Sequence, residues 1–325
     1  MAVLPVVIVS YNTAALLRRC LAALQQGTGP PLDILVVDNG SRDDTLAMLP
    51  AEFPAVSVLA QGRNLGFAAA NNVALAALGF AGLNAPLERS TAGAGPAAAA
   101  PQTSPEYVLL LNPDTEVRPG AINRLLECID RRPRAAMVGP QLVYPDGRFQ
   151  HSAFHFPGLA QTLLDLFPMH HRLMNSRFNG RYPARQLPFA VDHPLGACML
   201  VRGATLRAIG LLDEGYFMYV EEVDWCRRMR RAGWEVWCEP RAIVVHHEAQ
   251  STRQFRDTMY VQLWRSRDRY FHRYHGRAYV ALIHLAMRWG LNRELGRLRR
   301  DLTLSADERA RRSAAVVQVK EQFAQ

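Results

Sequence analysis

Three groups of polar side chains in this 325-residue chain have the types needed to hold a cation or take up a proton. Asn112-Pro113-Asp114 follows the apolar run Val108-Leu109-Leu110-Leu111. Pro113 fixes the turn and cannot extend a strand ladder, so Asp114 is released at a strand end. A carboxylate so placed suits a divalent cation that in turn holds a diphosphate. Glu221, Glu222 and Asp224 fall within four residues where a helical pattern begins. Acids in a first turn complement the helix dipole at about 0.3–1 kcal/mol each. Three exceed that need, and crowded carboxylates beside apolar side chains raise one another's pKa. A carboxylate poised in this way accepts a proton from an alcohol near neutral pH. By helical spacing Glu221 and Asp224 share a face while Glu222 points elsewhere, so at most one of the three is the base. His246 ends a further strand, and a neutral imidazole can join a carboxylate on manganese or magnesium. Each group also has an ordinary reading as a turn aspartate, a capped helix or a surface histidine pair; their co-occurrence carries the weight.

The elements that must position these residues are legible as buried strands with polar tips. Val6-Val7-Ile8-Val9 runs into Ser10-Tyr11-Asn12, and Ile34-Leu35-Val36-Val37 runs into Asp38-Asn39-Gly40-Ser41. Neither run alternates, nor does Val108–Leu111, so all three are expected to be buried on both faces of a mostly parallel sheet. Helical spacing from Ala14 to Gln26 joins the first two, and Gly27, Gly29, Pro30 and Pro31 close it. Further strands are expected at Val56–Leu59, Met137-Val138, Leu195–Val201, Trp234–Cys238 and Ala242–Val245. Helices are expected at Asp43–Leu49, Ala68–Leu78, Ala121–Arg131 and from Glu221 to Ala232. Tyr144–Gly147 reads as a hairpin turn. Residues 150–190 lack a period and are rich in aromatics, as groove borders often are. Residues 79–105 are Ala/Gly/Pro/Ser-rich and read as a disordered insert. Gly93-Ala94-Gly95-Pro96-Ala97-Ala98 matches a dinucleotide fingerprint only by letters, since no strand precedes it. No Walker loop and no nucleophile elbow occur, which removes the usual signatures of kinase, hydride and acyl chemistry.

The apolar content of 49% and charged content of 21% are those of a soluble globular protein. Five cysteines without paired spacing indicate free thiols in a reducing compartment. Cys226, Cys238, His246 and His247 make an imaginable zinc set, but the cysteines fall in helix and strand patterns and read as core. Val3–Val9 has no basic flank and leads into a strand, so no signal peptide is expected. Ala278–Met287 is interrupted by His284 and is about half the length of a membrane span. We therefore expect a cytoplasmic protein. The formal charge of +9 crowds into the arginine-rich stretch after Arg253, interleaved with Tyr260, Trp264, Tyr270, Phe271 and Trp289. Such a region suits contact with an anionic membrane surface, at the inner face of the cell membrane, or forms a solvated basic face. Nucleic acid is disfavoured because no recognised module accompanies it.

Seven motifs in order resemble the family 2 glycosyltransferases, and most of all their rhamnosyltransferase-type branch. They are Val9–Asn12, Val37–Ser41, Asn64–Asn72, Leu111–Thr115, Gly196-Ala197, Phe217–Asp224 and His246. The resemblance implies a GT-A fold, an α/β architecture of a mostly parallel sheet flanked by helices. We expect the GT-A domain at 1–255 and a basic helical extension at 256–325, where the sequence turns arginine-rich; the resemblance itself runs from about residue 3 to residue 275, interrupted by the insert. It implies an inverting transfer from a nucleotide-diphosphate sugar, such as dTDP-rhamnose or a UDP-sugar, to a glycan or lipid-linked glycan. Tyr11, Asn12, Asp38, Arg63, Asn64, Asn112 and Asp114 would bind the donor, with Asp38 at the pyrimidine edge. Asp114 and His246 would hold Mg2+ or Mn2+. Glu222 would be the base, with Asp224 in reserve and Glu221 beside them. Two positions depart from the family pattern: Asn112 stands where many GT-A enzymes have aspartate, and Glu221-Glu222 replaces Glu-Asp. Rival readings are a nucleotidyltransferase, which lacks its Gly-rich basic loop here, and a catalytically silent nucleotide-sugar-binding protein.

Overall fold

The computed structural model describes residues 2–80, 104–167, 171–247, 256–301 and 303–323. Most of the expected insert at 79–105 lies outside the described residues. The strands are β1 (Leu4–Ser10), β2 (Leu32–Asp38), β3 (Ser57–Ala60), β4 (Tyr107–Leu111), β5 (Thr115–Val117), β6 (Ala135–Val143), β7 (Phe149–Gln150), β8 (Ala153–Phe154), β9 (Phe189–Ala190), β10 (His193–Pro194), β11 (Cys198–Arg202) and β12 (Glu235–His246). The helices before the C-terminal region are α1 (Ala14–Gln25), α2 (Thr45–Glu52), α3 (Phe67–Leu75), α4 (Ala121–Asp130), α5 (Leu159–Leu166), α6 (His171–Met174), α7 (Gly203–Ile209) and α8 (Glu221–Arg231). Three more follow at Arg256–Tyr274, Arg277–Arg300 and Ala306–Gln322.

The main sheet runs β3-β2-β1-β4-β11-β6-β12-β5. Its first four strands are parallel, but β11 lies antiparallel between β4 and β6, and β5 antiparallel beside β12. The α/β layout is as expected; the sheet is mixed, with β6 and β12 parallel to each other and running the same way as β1, β2, β3 and β4. An apolar run shows that both faces are covered, not which way its neighbours point. Alternate residues of one strand enter opposite cores, as pleating requires. Val6 and Ile8 pack with α1, α2 and α4, whereas Val7 and Val9 pack with α3, α7 and α8. Strand order reverses at β1, with β2 on one side and β4 on the other, and a cleft opens beyond such a switch point. The polar tips collect there, because Ser10 stands opposite Asp38 and Ile8 opposite Leu111.

Two expected short strands near Pro240 are one strand. β12 passes through Pro240 with a register shift between Glu239 and Ile243, a bulge that absorbs the missing donor. Three aromatics of the basic region turn inward: Trp264, Tyr270 and Phe271 are buried with Tyr216, Val220 and Val223 in a third core. Residues 150–190 do not line the cleft among the described residues. Much of the stretch instead packs on the C-terminal helices, where Asp165 pairs with Arg267 at 2.6 Å and the Leu159 N–H donates to Tyr279 Oη at 2.8 Å. All five cysteines are buried and free, with Cys226 Sγ against Met137 Sδ and Cys238 Sγ against the Pro140 carbonyl.

Candidate active site

A cavity of about 510 Å³ opens beyond the carboxyl ends of β1 and β4. Its lining brings together Tyr11, Asn64, Asn112, Asp114, Glu221, Glu222 and His246. Asn12, Asp38, Arg63 and Asp224 are not part of that lining.

Strand register makes the meeting of Asp114 and His246. β5 and β12 pair with His246 opposite Thr115, and the His247 N–H donates to the Asp114 carbonyl at 2.9 Å. His246 Nε2 thereby comes to 3.5 Å from Asp114 Oδ1. That oxygen is buried and makes no hydrogen bond among the described residues, an expensive condition for a carboxylate left alone. On the far side of the ring His246 Nδ1 lies 3.2 Å from Gln150 Oε1. An Nδ1–H donating to that amide oxygen leaves the Nε2 lone pair turned toward Asp114. A bare carboxylate oxygen facing an imidazole lone pair is a donor set that fits a divalent cation. Gln150 escaped sequence reading because the β6–β7 hairpin, not any motif, carries it there.

The nucleotide-side residues are fixed by loops stapled to one another. Asp38 is 1% exposed; its Oδ2 accepts from the Ser41 N–H at 3.2 Å, while Oδ1 is buried without a partner among the described residues. Asn12 adopts φ 53 and its Oδ1 accepts from the Arg42 N–H at 2.7 Å. A Cβ on Gly40 would lie 2.7 Å from Arg63 Cα, so the Arg63 backbone rests on the loop that follows Asp38. Asn64 Oδ1 accepts from Asn39 Nδ2 at 3.0 Å and from the Gly66 N–H at 2.9 Å. Its carbonyl therefore shapes the loop. Asn112 Oδ1 is another buried oxygen without a partner among the described residues.

The acidic cluster divides in two. Tyr219 and Val220 both have positive φ, 66 and 70, at a cost of order 1–3 kcal/mol each for side chains that disfavour that region. The loop is held there from both sides: the Phe67 N–H donates to the Phe217 carbonyl and Ser266 Oγ to the Met218 carbonyl, each at 2.7 Å. This turn points Glu221 and Glu222 into the cavity. Glu222 packs over Gly196, where a Cβ would stand 3.6 Å from its carboxyl carbon. Burial pushes the Glu222 carboxyl up to about 7, although backbone N–H groups at the start of α8 hold it down in part. Burial first, then the charge of Glu222, lifts Glu221 well above the usual carboxylate range.

Asp224 does not join them. It is fully enclosed, with Arg228 Nε at 2.9 Å from Oδ2, and Tyr274 Oη at 2.7 Å and Arg273 at 3.2 Å from Oδ1. The face that spacing assigned jointly to Glu221 and Asp224 is broken up because these partners turn the aspartate away. Its partners Tyr274 and Arg273 lie about 50 residues downstream, beyond any local pattern.

Comparison with known proteins shows likeness at the level of family and fold. The family model for Glycosyltransferase like family 2 matches residues 2–267. An N-acetylglucosaminyl-diphospho-decaprenol L-rhamnosyltransferase of Mycobacterium tuberculosis is 36% identical over 254 residues, covering 77% of this chain and 78% of that protein. The rhamnosyltransferase WbbL of Escherichia coli is 25% identical over 154 residues, covering 46% of this chain and 55% of that one. Among solved structures, a mannosyltransferase of Pyrobaculum calidifontis in complex with GDP-Man and Mn2+ superposes with a TM-score of 0.56 at 13% identity, over 99% of this chain and 86% of that one. At that identity the likeness speaks for the fold.

Proposed function

This chain belongs to the family 2 glycosyltransferases, and on that premise we propose that it moves rhamnose from a nucleotide-diphosphate donor to a hydroxyl of a lipid-linked glycan. The acceptor class we favour is an N-acetylglucosaminyl-diphospho-polyprenol, on which the mycobacterial relative is named to act. One observation carries the reading: Asp114, His246 and Glu222, far apart in sequence, line a single cavity.

In this reading Tyr11 and Asn112 flank a donor such as dTDP-rhamnose or a UDP-sugar, and Asp38, buried outside the cavity lining, braces the loop at Ser41. Asp114 and His246 hold Mg2+ or Mn2+, which when bound neutralises charge on the donor diphosphate. Glu222 takes the proton of the acceptor hydroxyl as that oxygen attacks the anomeric carbon. The bond from that carbon to the diphosphate oxygen breaks in the same displacement, its electron pair leaves with the diphosphate, and configuration inverts. Phe217, Met218 and Tyr219 form an apolar wall that keeps water from the reacting carbon. Asp224, enclosed and fully paired, holds α8 in place and touches no reactant. We place the reaction peripherally on the inner face of the cell membrane, since a polyprenyl tail keeps such an acceptor there. Among the described residues no helix is long and apolar enough to cross a membrane.

The test is a product assay with a short-chain prenyl-diphosphate acceptor and a panel of dTDP- and UDP-sugars, with Mn2+ and with chelator. We expect rhamnosyl product from dTDP-rhamnose, and donor binding by Asp114→Ala to become indifferent to chelator. No product from any donor in the panel would remove the catalytic reading; chelator-indifferent donor binding by the wild type would remove the metal.

A further inference from the structure

The second C-terminal helix, Arg277–Arg300, turns one face to the protein. Val280, Ile283, Met287 and Leu291 are buried, and Gly290 lies so close to Leu166 of α5 that a Cβ would come within 2.7 Å. At ~100° per residue the opposite face presents positions 282, 285 and 289. Leu282, Leu285 and Trp289 stand there 46%, 65% and 64% exposed. Three large apolar side chains in one row, each that exposed, are not a scatter of single residues. Arg288 and Arg293 border the row, are exposed, and make no ion pair among the described residues. The basic charge is local too: residues 256–325 hold fifteen Lys and Arg against seven Asp and Glu, so +8 of the chain's +9.

We infer that this face is the membrane-docking surface of the protein, and that its occupant is an anionic phospholipid bilayer. A helix lying in the interface buries its apolar row among acyl chains and sets its arginines at the headgroups. Trp289 is suited to that boundary, with an apolar ring and a polar N–H. The charge argues for lipid over a second copy of the chain, because two faces carrying unpaired arginines would repel. The inference builds on the lipid-linked acceptor reading, which it deepens by naming the side of the molecule that meets the lipid. It also narrows the docking surface, since Trp264, Tyr270 and Phe271 are buried and cannot reach a bilayer.

The full chain, without donor or acceptor, is sedimented with vesicles of phosphatidylglycerol in phosphatidylcholine and with vesicles of phosphatidylcholine alone. Binding to the mixed vesicles is expected to exceed binding to the neutral ones by ~10-fold or more. Leu285→Ser with Trp289→Ser should cut it by a similar factor, and Arg288→Glu with Arg293→Glu should abolish the preference for anionic lipid. Circular dichroism and donor titration on each variant are expected to match the wild type, because these side chains are exposed and lie outside the cavity lining, Trp289 and Arg293 resting on the ring of Phe167. Wild type that ignores anionic vesicles overturns the inference, as does a Leu285/Trp289 variant that binds as well as wild type. So does a dimer in sedimentation velocity that the Leu285/Trp289 pair dissolves, which would give the face to a second copy. The sugar-transfer reading stands or falls separately, on the product assay with the short-chain acceptor.

Discussion

As the proposed base, Glu222 has a raised carboxyl that sets the pH at which it can receive a proton. With a value near about 7, the ionised form grows as pH rises through neutrality. We expect kcat/KM to climb by about tenfold per pH unit below that value and to level off by about pH 8. Glu222→Gln should lose ~10²–10⁴ in kcat and flatten the profile, while calorimetric donor affinity stays within a few-fold. A wild-type profile flat from about pH 5.5 to about 8.5 would take the base role from Glu222. Stability gives an independent readout with a definite sign. The folded protein holds a proton on Glu222 between the ordinary value of 4.5 and about 7, where the unfolded chain has released it, so stability falls as pH rises through that window. Glu222→Gln removes the fall, and its Tm should gain on wild type between pH 5 and pH 8. At this scale the sequence revealed residue types well: Asp114, His246 and Glu222 were each legible as a polar tip on a buried element. Asp224 was not, because its partner Tyr274 arrives from another helix, and neither was Gln150, whose role depends on a hairpin.

The loop entering α3 and the loop entering α8 are built against each other, and Gly66 is the contact between them. It holds φ 85, and a Cβ would lie 2.3 Å from the Phe217 carbonyl oxygen. That oxygen also accepts the Phe67 N–H, so neither side can yield without moving the wall of the cavity. Gly66→Ala should therefore lower donor affinity by tenfold or more and cost roughly 2–3 kcal/mol of stability, beyond the ~1–2 kcal/mol that positive φ alone imposes. Gly62 is the matched control, with φ 66 and nothing within 4 Å of where a Cβ would stand. Its alanine should show only the conformational cost, in thermal melts and donor titrations run side by side. Equal effects at the two positions would mean that the loop contact is unimportant. The strands and helices themselves were largely legible, because apolar runs and helical spacing are local properties. Strand direction was not: nothing within Cys198–Arg202 says that its neighbour β4 runs the other way. Pro240 misled for a related reason, since a bulge leaves no sequence pattern that distinguishes it from a strand end.

The whole molecule is less divisible than its composition suggests. A change from mixed to arginine-rich sequence marks residue 256 as a boundary, yet the third core crosses it. Tyr216, Val220 and Val223 pack there with Val261, Trp264, Tyr270 and Phe271. Asp224 takes two of its three partners, Tyr274 and Arg273, from the same helix, and Ser266 holds the Met218 carbonyl. The family match extending to residue 267 is in keeping with this. We therefore propose that the first C-terminal helix belongs to the catalytic unit, and predict that a chain ending at residue 255 does not fold cooperatively. Losing one buried aromatic from a core costs about 3–5 kcal/mol, and leaving a buried carboxylate short of its partners costs about 3–5 more. Several such losses together exceed the ~5–15 kcal/mol that holds a domain folded. Calorimetry should show no two-state transition for the shortened chain, whereas one ending at residue 275 should regain a transition and measurable donor binding. A chain ending at residue 255 that melts within a few degrees of the full protein would restore the boundary to where composition puts it.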